Sequence, residues 1–242
     1  MLLAIDAGNS NIKVALFNDY ELRAQWRLTS IDLDQLARLN PEDVEAIVIA
    51  SVVPELNSTL TRISEDHFNL TPVFVDHTTP IDLKILYDSP AELGADRIVD
   101  AFAGVDKYGA PCIVVDFGTA TTFNAINAAG EFLGGAISPG LVTCSEALFV
   151  RTAKLPRVKW EQPAKVIGSS TVSAMQSGIY YGYGGLVDGV LEKMIAEMGE
   201  TPRVIATGGL AHAIAPTSRY ISLVDDTLTL EGLRLVYERI KS

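Results

Sequence analysis

The chain has 242 residues, 48% of them apolar and 20% charged, which suits one large domain or two small ones and excludes a disordered chain. Its net charge of −11 is spread along the sequence, which weighs against nucleic acid as a partner, because neutralising a phosphate backbone needs clustered Lys and Arg. Cys112 and Cys144 form no CxxC pair and read as reduced thiols of a cytoplasmic protein.

In chain order, the apolar opening MLLAI lacks a basic leader and is too short for a signal segment or a membrane span. It reads as a buried strand, and no membrane partner is expected. Lys13–Phe17 reads as a second strand. Leu22, Ala24, Trp26 and Leu28 alternate with Arg23, Gln25 and Arg27, the period-two pattern of a half-buried third strand. A short helix is expected at Asp32–Leu39, a buried strand at Ala46–Val53, a helix at Leu56–Phe68 and a strand at Pro72–Val75. Asp96–Tyr108 has helical spacing. Strands follow at Ile113–Val115, Thr122–Asn127 and Phe132–Ile137, then helices at Leu141–Ala153 and Val172–Met198. A strand at Arg203–Ala206, a short helix at Leu210–Ile214, a strand at Ile221–Val224 and a helix at Leu230–Ile240 complete the series.

Two stretches of this series match. An apolar run ends in Asp6, then Gly8, Asn9 and Ser10, and a strand, a turn and another strand follow. A second apolar run ends in Asp116, then Gly118, Thr119 and Thr121, followed by the same series. The two carboxylates stand 110 residues apart. An internal duplication is the simplest account, with two similar α/β halves, 1–109 and 110–242, facing each other across a cleft.

Glycine and hydroxyl residues at a hairpin turn offer backbone N–H and O–H donors to an anion. A carboxylate beside such a turn repels phosphate unless a cation lies between them. Asp6 therefore suits a metal held through phosphates, and Asp116 repeats the device. One D-x-G alone is an ordinary turn; two in matched contexts argue for phosphate. No Walker A loop and no GxGxxG after a strand is present. The glycines of GYGGLVDG (182–189) lie in a helical pattern and read as sites of close helix packing. TGG (207–209) reads either as a resting place for a flat base or as a plain strand-to-helix turn.

In YDSPAELGADR (87–97), Asp96 can take a proton from a hydroxyl while Arg97 binds an acidic or carbonyl group. The alternative is an Asp stabilised by the helix dipole with a solvated Arg. Lys13 can reach a phosphate or stand solvated on its strand. His67, His77 and His212 share no metal-ligand spacing. The Tyr180–Tyr183 cluster reads as core or subunit contact.

In combination these motifs resemble the type III pantothenate kinases of the actin and sugar-kinase superfamily, with its duplicated ribonuclease-H-like fold. DAGNSNIK (6–13) is similar to the first phosphate motif, LGADR (93–97) with Tyr87 to the pantothenate motif, and DFGTATT (116–122) to the second phosphate motif. GGAISPG (134–140), SSTVSAMQSG (169–178) and ATGG (206–209) complete the order. DAGNS stands where DIGNT is commoner, and the segment before AIVIASVV is short.

The resemblance implies ATP-dependent phosphorylation of pantothenate to 4′-phosphopantothenate, the first step of coenzyme A biosynthesis. It implies Mg-ATP at Asp6, Ala7, Gly8, Asn9, Ser10 and Lys13, with Mg bound to Asp6 through the phosphates. Gly118, Thr119 and Thr122 approach phosphate, and Gly208 and Gly209 the nucleoside. Asp96 is implied as general base, with Tyr87, Gly94, Ala95, Arg97 and Thr171 around pantothenate. Asp116 is implied to hold a monovalent cation, K+ or NH4+. The family also implies a homodimer with the acceptor pocket near the subunit interface. A non-catalytic relative would have no need of the base, and a sugar kinase or polyphosphate hydrolase would not need LGADR with Tyr87.

Overall fold

The first unit of the fold is built on the opening apolar run. A computed structural model describes residues 1–40 and 43–241. Strand β1 (Leu2–Ala7) is buried along its whole length, as a run without polar alternation requires. It pairs antiparallel with β2 (Ile12–Asn18) and parallel with β4 (Ala46–Ser51). β3 (Glu21–Leu28) lies outside β2 and alternates between half-buried and exposed residues, as its period-two sequence predicts. β5 (Val73–Phe74) pairs parallel with β4, giving the order β3-β2-β1-β4-β5.

The expected helix at Asp32–Leu39 is instead a 3-10 helix over Ser30–Arg38. Leu33, Leu36 and Leu39 recur every third residue, which matches three residues per turn better than 3.6. Leu33 and Leu36 are buried in the core and Leu39 packs against it. Helix α1 (Pro54–Phe68) follows β4, opening with Pro at its first position and closing at Asn69 in the left-handed region.

The second unit repeats the scheme. β6 (Cys112–Phe117) pairs antiparallel with β7 (Ala120–Ile126), and β7 with β8 (Phe132–Pro139). β9 (Arg203–Thr207) runs parallel to β6 and β10 (Leu223–Val224) parallel to β9. The order β8-β7-β6-β9-β10 is that of the first sheet, strand for strand. Helices α3 (Leu141–Arg151) and α4 (Thr171–Met198) join β8 to β9, and α5 (Ala211–Ile214) lies between β9 and β10. Ser170 and Ser173 form a reciprocal capping box at the start of α4.

The two compact units are residues 1–108 with 227–242, and residues 109–226. The division at 109/110 expected from sequence put the whole C-terminal segment in the second half. In the structure α6 (Leu228–Lys241) groups with the first unit, packed against α2 (Ala95–Tyr108), β1 and β4. The cause is steric and polar fit. A Cβ added to Gly232 would come 2.7 Å from Val99 Cγ1, so the two helices approach closely, and Thr229 donates a 2.7 Å hydrogen bond to the buried Asp100. Among the described residues, no helix is long and apolar enough to cross a membrane.

The glycines of α4 do not act as expected from sequence. Only Gly184 faces a close neighbour, Thr217; a Cβ at Gly178, Gly182, Gly185 or Gly189 would meet nothing within 4 Å. Tyr183 is buried in the core of the second unit, Tyr180 stacks on Trp160 at 4.9 Å, and Tyr181 stays 40% exposed.

Candidate active site

The first hairpin turn spans Gly8–Asn11, between the paired ends Ala7 and Ile12. The Gly8 amide donates to the Asn11 carbonyl at 3.1 Å, which closes the turn and leaves Asn9 and Ser10 exposed. Asp6 is one residue before the end of β1, opposite Lys13 on β2 and Ala50 on β4. Residues directly opposite share a sheet face, so Lys13, Asp6 and Ala50 form one row. Lys13 Nζ lies 3.4 Å from Asp6 Oδ2, and the Asp6 residue is 8% exposed. Lys13 is thus half-enclosed beside a carboxylate rather than solvated.

The segment that leads into α2 reaches the same sheet end. The Val52 amide donates to the Ala7 carbonyl at 3.1 Å, and Val52 Cγ1 lies 3.4 Å from where a Cβ on Gly94 would stand. That hypothetical Cβ would also meet Asp96 Oδ1 at 2.6 Å, so glycine is what lets the carboxylate lie back over the chain. Asp96 Oδ1 accepts a 2.8 Å bond from the Arg97 amide. Burial pushes the Asp96 carboxyl above its ordinary range, and the Asp6 charge adds to this. The Arg97 amide, the Arg97 guanidinium and Lys13 pull the other way. The Arg97 side chain is buried, with its guanidinium 5.7 Å from the centre of the Tyr87 ring. In the first unit the structure therefore brings Asp6, Lys13, Gly94, Asp96, Arg97 and Tyr87 into one neighbourhood.

The second hairpin turn is Gly118–Thr119, closed by a 3.1 Å bond from the Gly118 amide to the Ala120 carbonyl. Thr119 is exposed. Its carbonyl accepts from the Gly140 amide at 3.0 Å and from Thr143 Oγ1 at 2.8 Å, so the start of α3 fixes the turn. Asp116 stands one residue before the end of β6, opposite Thr122 on β7 and Thr207 on β9. Its carboxylate is held between glycines. Oδ2 lies 3.6 Å from a hypothetical Cβ on Gly118, and Oδ1 lies 2.2 Å from one on Gly208. Gly208 has φ +92°, and the strand turns over the carboxylate there. Gly209 follows it and is exposed.

The sequence marks TGG (207–209) as a backbone surface for a flat base or a plain turn, with no separate part for the Thr207 side chain. What marks Thr207 is its register opposite Asp116, which only strand pairing reveals. Thr171 opens α4 and lines a groove in the second unit with Cys144, Leu148, Met175, Gly178 and Leu186. Among the described residues, no three His, Cys, Asp or Glu side chains converge as a metal cluster.

The paired sheets of one topology, each with an Asp–Gly hairpin at the end of its first strand, define a protein of the actin and sugar-kinase fold. Solved structures agree at the level of fold. A Campylobacter jejuni protein named for the Baf family of transcriptional activators is similar over 98% of this chain and 97% of its own, with TM-score 0.63 and 20% identity. An inorganic polyphosphate/ATP-glucomannokinase from Arthrobacter is similar over 98% and 97%, with TM-score 0.53 and 12% identity. At the level of sequence, the model of the type III pantothenate kinase family matches residues 2–193. Type III pantothenate kinases from Geobacter sulfurreducens and Pelobacter propionicus are 48% and 49% identical, each over 99% of this chain and 99% of its own. The chain belongs to the type III pantothenate kinase family.

Proposed function

We propose that the chain transfers the γ-phosphoryl group of ATP to the 4′-hydroxyl of pantothenate, giving ADP and 4′-phosphopantothenate, the first step of coenzyme A biosynthesis. The observation that carries this reading is Asp96, a buried carboxyl of raised proton affinity beside Asp6 and Lys13. Phosphoryl transfer needs positioning and charge neutralisation more than covalent chemistry. Asp96 accepts the hydroxyl proton as the new bond to phosphorus forms, and its raised affinity makes it a better acceptor than an exposed Asp. Arg97 and Tyr87, with Gly94 and Ala95, hold pantothenate, and the Arg97 guanidinium faces its carboxylate end. Gly8, Asn9, Ser10, Gly118, Thr119 and Thr122 direct amide and hydroxyl donors at the phosphates, Lys13 adds a positive charge, and Gly208 and Gly209 leave a flat surface for the nucleoside. A divalent cation brought with the nucleotide and held through phosphate oxygens near Asp6 supplies further charge neutralisation.

Asp116 fits a monovalent cation, K+ or NH4+. Its row carries neutral hydroxyls where Asp6 has an ammonium, a donor set that suits a cation of single charge. A homodimer is part of the same reading. Val142, Val150, Ile167 and Val172 are between 45% and 88% exposed on α3, α4 and the segment between them, beside the groove that Thr171 lines. A second copy seated there covers this apolar surface and places Thr171 at the interface. We place the enzyme in the cytoplasm, where the free thiols Cys112 and Cys144 stay reduced.

A coupled ADP-release assay with pantothenate, hexoses and water as acceptors tests the reaction. Release above background with pantothenate alone is the expected result; release with a sugar, or none dependent on pantothenate, overturns it. Light scattering at assay concentrations should return the mass of two chains, and the mass of one chain rejects the dimer.

A further inference from the structure

Thr207 is 1% exposed, and its Oγ1 has no hydrogen-bond partner among the described residues. A buried hydroxyl left without a partner is unfavourable and in native proteins calls for an explanation. Thr207 stands directly opposite Asp116 in the parallel β6–β9 register, so the hydroxyl and the carboxylate share a sheet face. The next residue, Gly208, turns at φ +92° against Asp116 Oδ1 and fixes that carboxylate in place. On the other side of Asp116, Thr122 occupies the same row. Three oxygen-bearing side chains thus stand side by side, one charged and two neutral, with no Lys or Arg in the row. Such a donor set suits a large cation of single charge, which binds neutral oxygens well and needs few carboxylates.

We propose that the Thr207 hydroxyl is a second protein oxygen for the monovalent cation at Asp116 and contributes to selection of K+ over Na+. This rests on the reading that Asp116 holds such a cation. A threonine hydroxyl can use an oxygen lone pair towards the cation and still donate its proton to a nearby acceptor, so the orphaned group is satisfied once the cation is bound. Selection follows from rigidity. Backbone pairing sets the spacing of Thr207 on β9 and Asp116 on β6, which limits how far their oxygens close on a smaller ion.

The test is cation-dependent stabilisation of the full chain with a non-hydrolysable ATP analogue bound. Melting temperature is followed against KCl, NH4Cl, NaCl and choline chloride at constant ionic strength. Thr207→Val removes the hydroxyl at nearly constant shape; Thr207→Ser keeps it. The proposal expects Thr207→Val to raise the K+ concentration for half-maximal stabilisation about tenfold, as the loss of one good polar contact implies, and to narrow the K+/Na+ difference. Thr207→Ser should stay near wild type. Without added cation, Thr207→Val should melt at or above wild type, since it deletes an unsatisfied buried group; a lower melting temperature there would point to a purely structural role and overturn the proposal. An unchanged K+ midpoint in Thr207→Val, with K+ still stabilising the wild type, sinks the role of Thr207 and leaves the cation at Asp116 standing. No difference between KCl and choline chloride in the wild type sinks both.

Discussion

The two units share one sheet plan and differ in what flanks their central aspartates. In the first, Asp6 sits between Lys13 and Ala50; in the second, Asp116 sits between Thr122 and Thr207. Strand order, the carboxylate one residue from the strand end and the glycine turn after it are common to both. Duplication has kept the strand order, the carboxylate and the glycine turn, and has changed the side chains that flank the carboxylate. The insertions differ as well. Between β5 and α2 the first unit carries residues 75–94, with Tyr87 and Gly94 leading into Asp96, whereas β10 and α6 are joined by residues 225–227 alone. Between β8 and β9 the second unit carries α3 and α4, where the first, among the described residues between β3 and β4, has the 3-10 helix Ser30–Arg38. The first unit has gained a segment that leads to a buried carboxyl, Asp96, and the second an apolar surface.

The sharpest way to break this contrast is at Asp96, which has no counterpart in the second unit. Asp96→Asn should lower kcat by about 10²–10⁴-fold, the usual contribution of a general base, while binding of an ATP analogue persists. The same change should raise the melting temperature at neutral pH. Burial and Asp6 disfavour the charged form of Asp96, so the folded state is penalised above its raised pKa and relieved of that penalty when the group is protonated or replaced. Near-normal kcat in a folded Asp96→Asn protein would place the base elsewhere.

A second test moves one row onto the other. Thr122→Lys puts an ammonium beside Asp116 as Lys13 stands beside Asp6. K+ and choline should then support equal rates, because the charge is supplied from within the chain. Retained K+ stimulation would mean that the flanking residue does not decide the cation.

The acid side of the pH profile gives a smaller effect. Asp96 accepts a proton only when ionised, so its raised pKa makes activity fall at a higher pH than an exposed Asp would dictate. Lys13 holds that pKa down, so Lys13→Met should move the acid limb of kcat to still higher pH. A limb that stays put would show that another group controls it.

The smallest effect on rate is expected at Gly232, where the chain returns to the first unit. A Cβ there would meet Val99 Cγ1 at 2.7 Å and Ala103 Cβ at 2.9 Å, so Gly232→Ala should reduce stability to urea by about 1–3 kcal/mol. Gly185→Ala on α4, where the new Cβ meets nothing, should instead gain up to about 1 kcal/mol from helix propensity. Equal effects at the two glycines would contradict the packing described.

Much of the fold was legible because its signals are local. The buried runs before Asp6 and Asp116 announced β1 and β6, and matched turns announced the duplication. The 3-10 helix was misread as an ordinary short helix, since apolar residues every third position satisfy both periods approximately. The place of α6 was illegible because it depends on Gly232 meeting α2, more than a hundred residues earlier in the chain. At the site, Asp6, Lys13 and Asp96 could be named from their motifs. Thr207 could not, since a threonine at a strand end is ordinary until register sets it opposite a carboxylate.

The return of α6 to the first unit also bears on how the protein is made. Residues 109–226 form an unbroken stretch, so every residue of this unit has left the ribosome before α6 does. The unit that begins the chain is finished last. Until residues 227–241 emerge, α2 and the inner strands β1 and β4 lack the helix that packs on them. A chain stopped short of residue 227 would keep every residue of the later unit and leave bare the part of the earlier unit's core on which α6 packs.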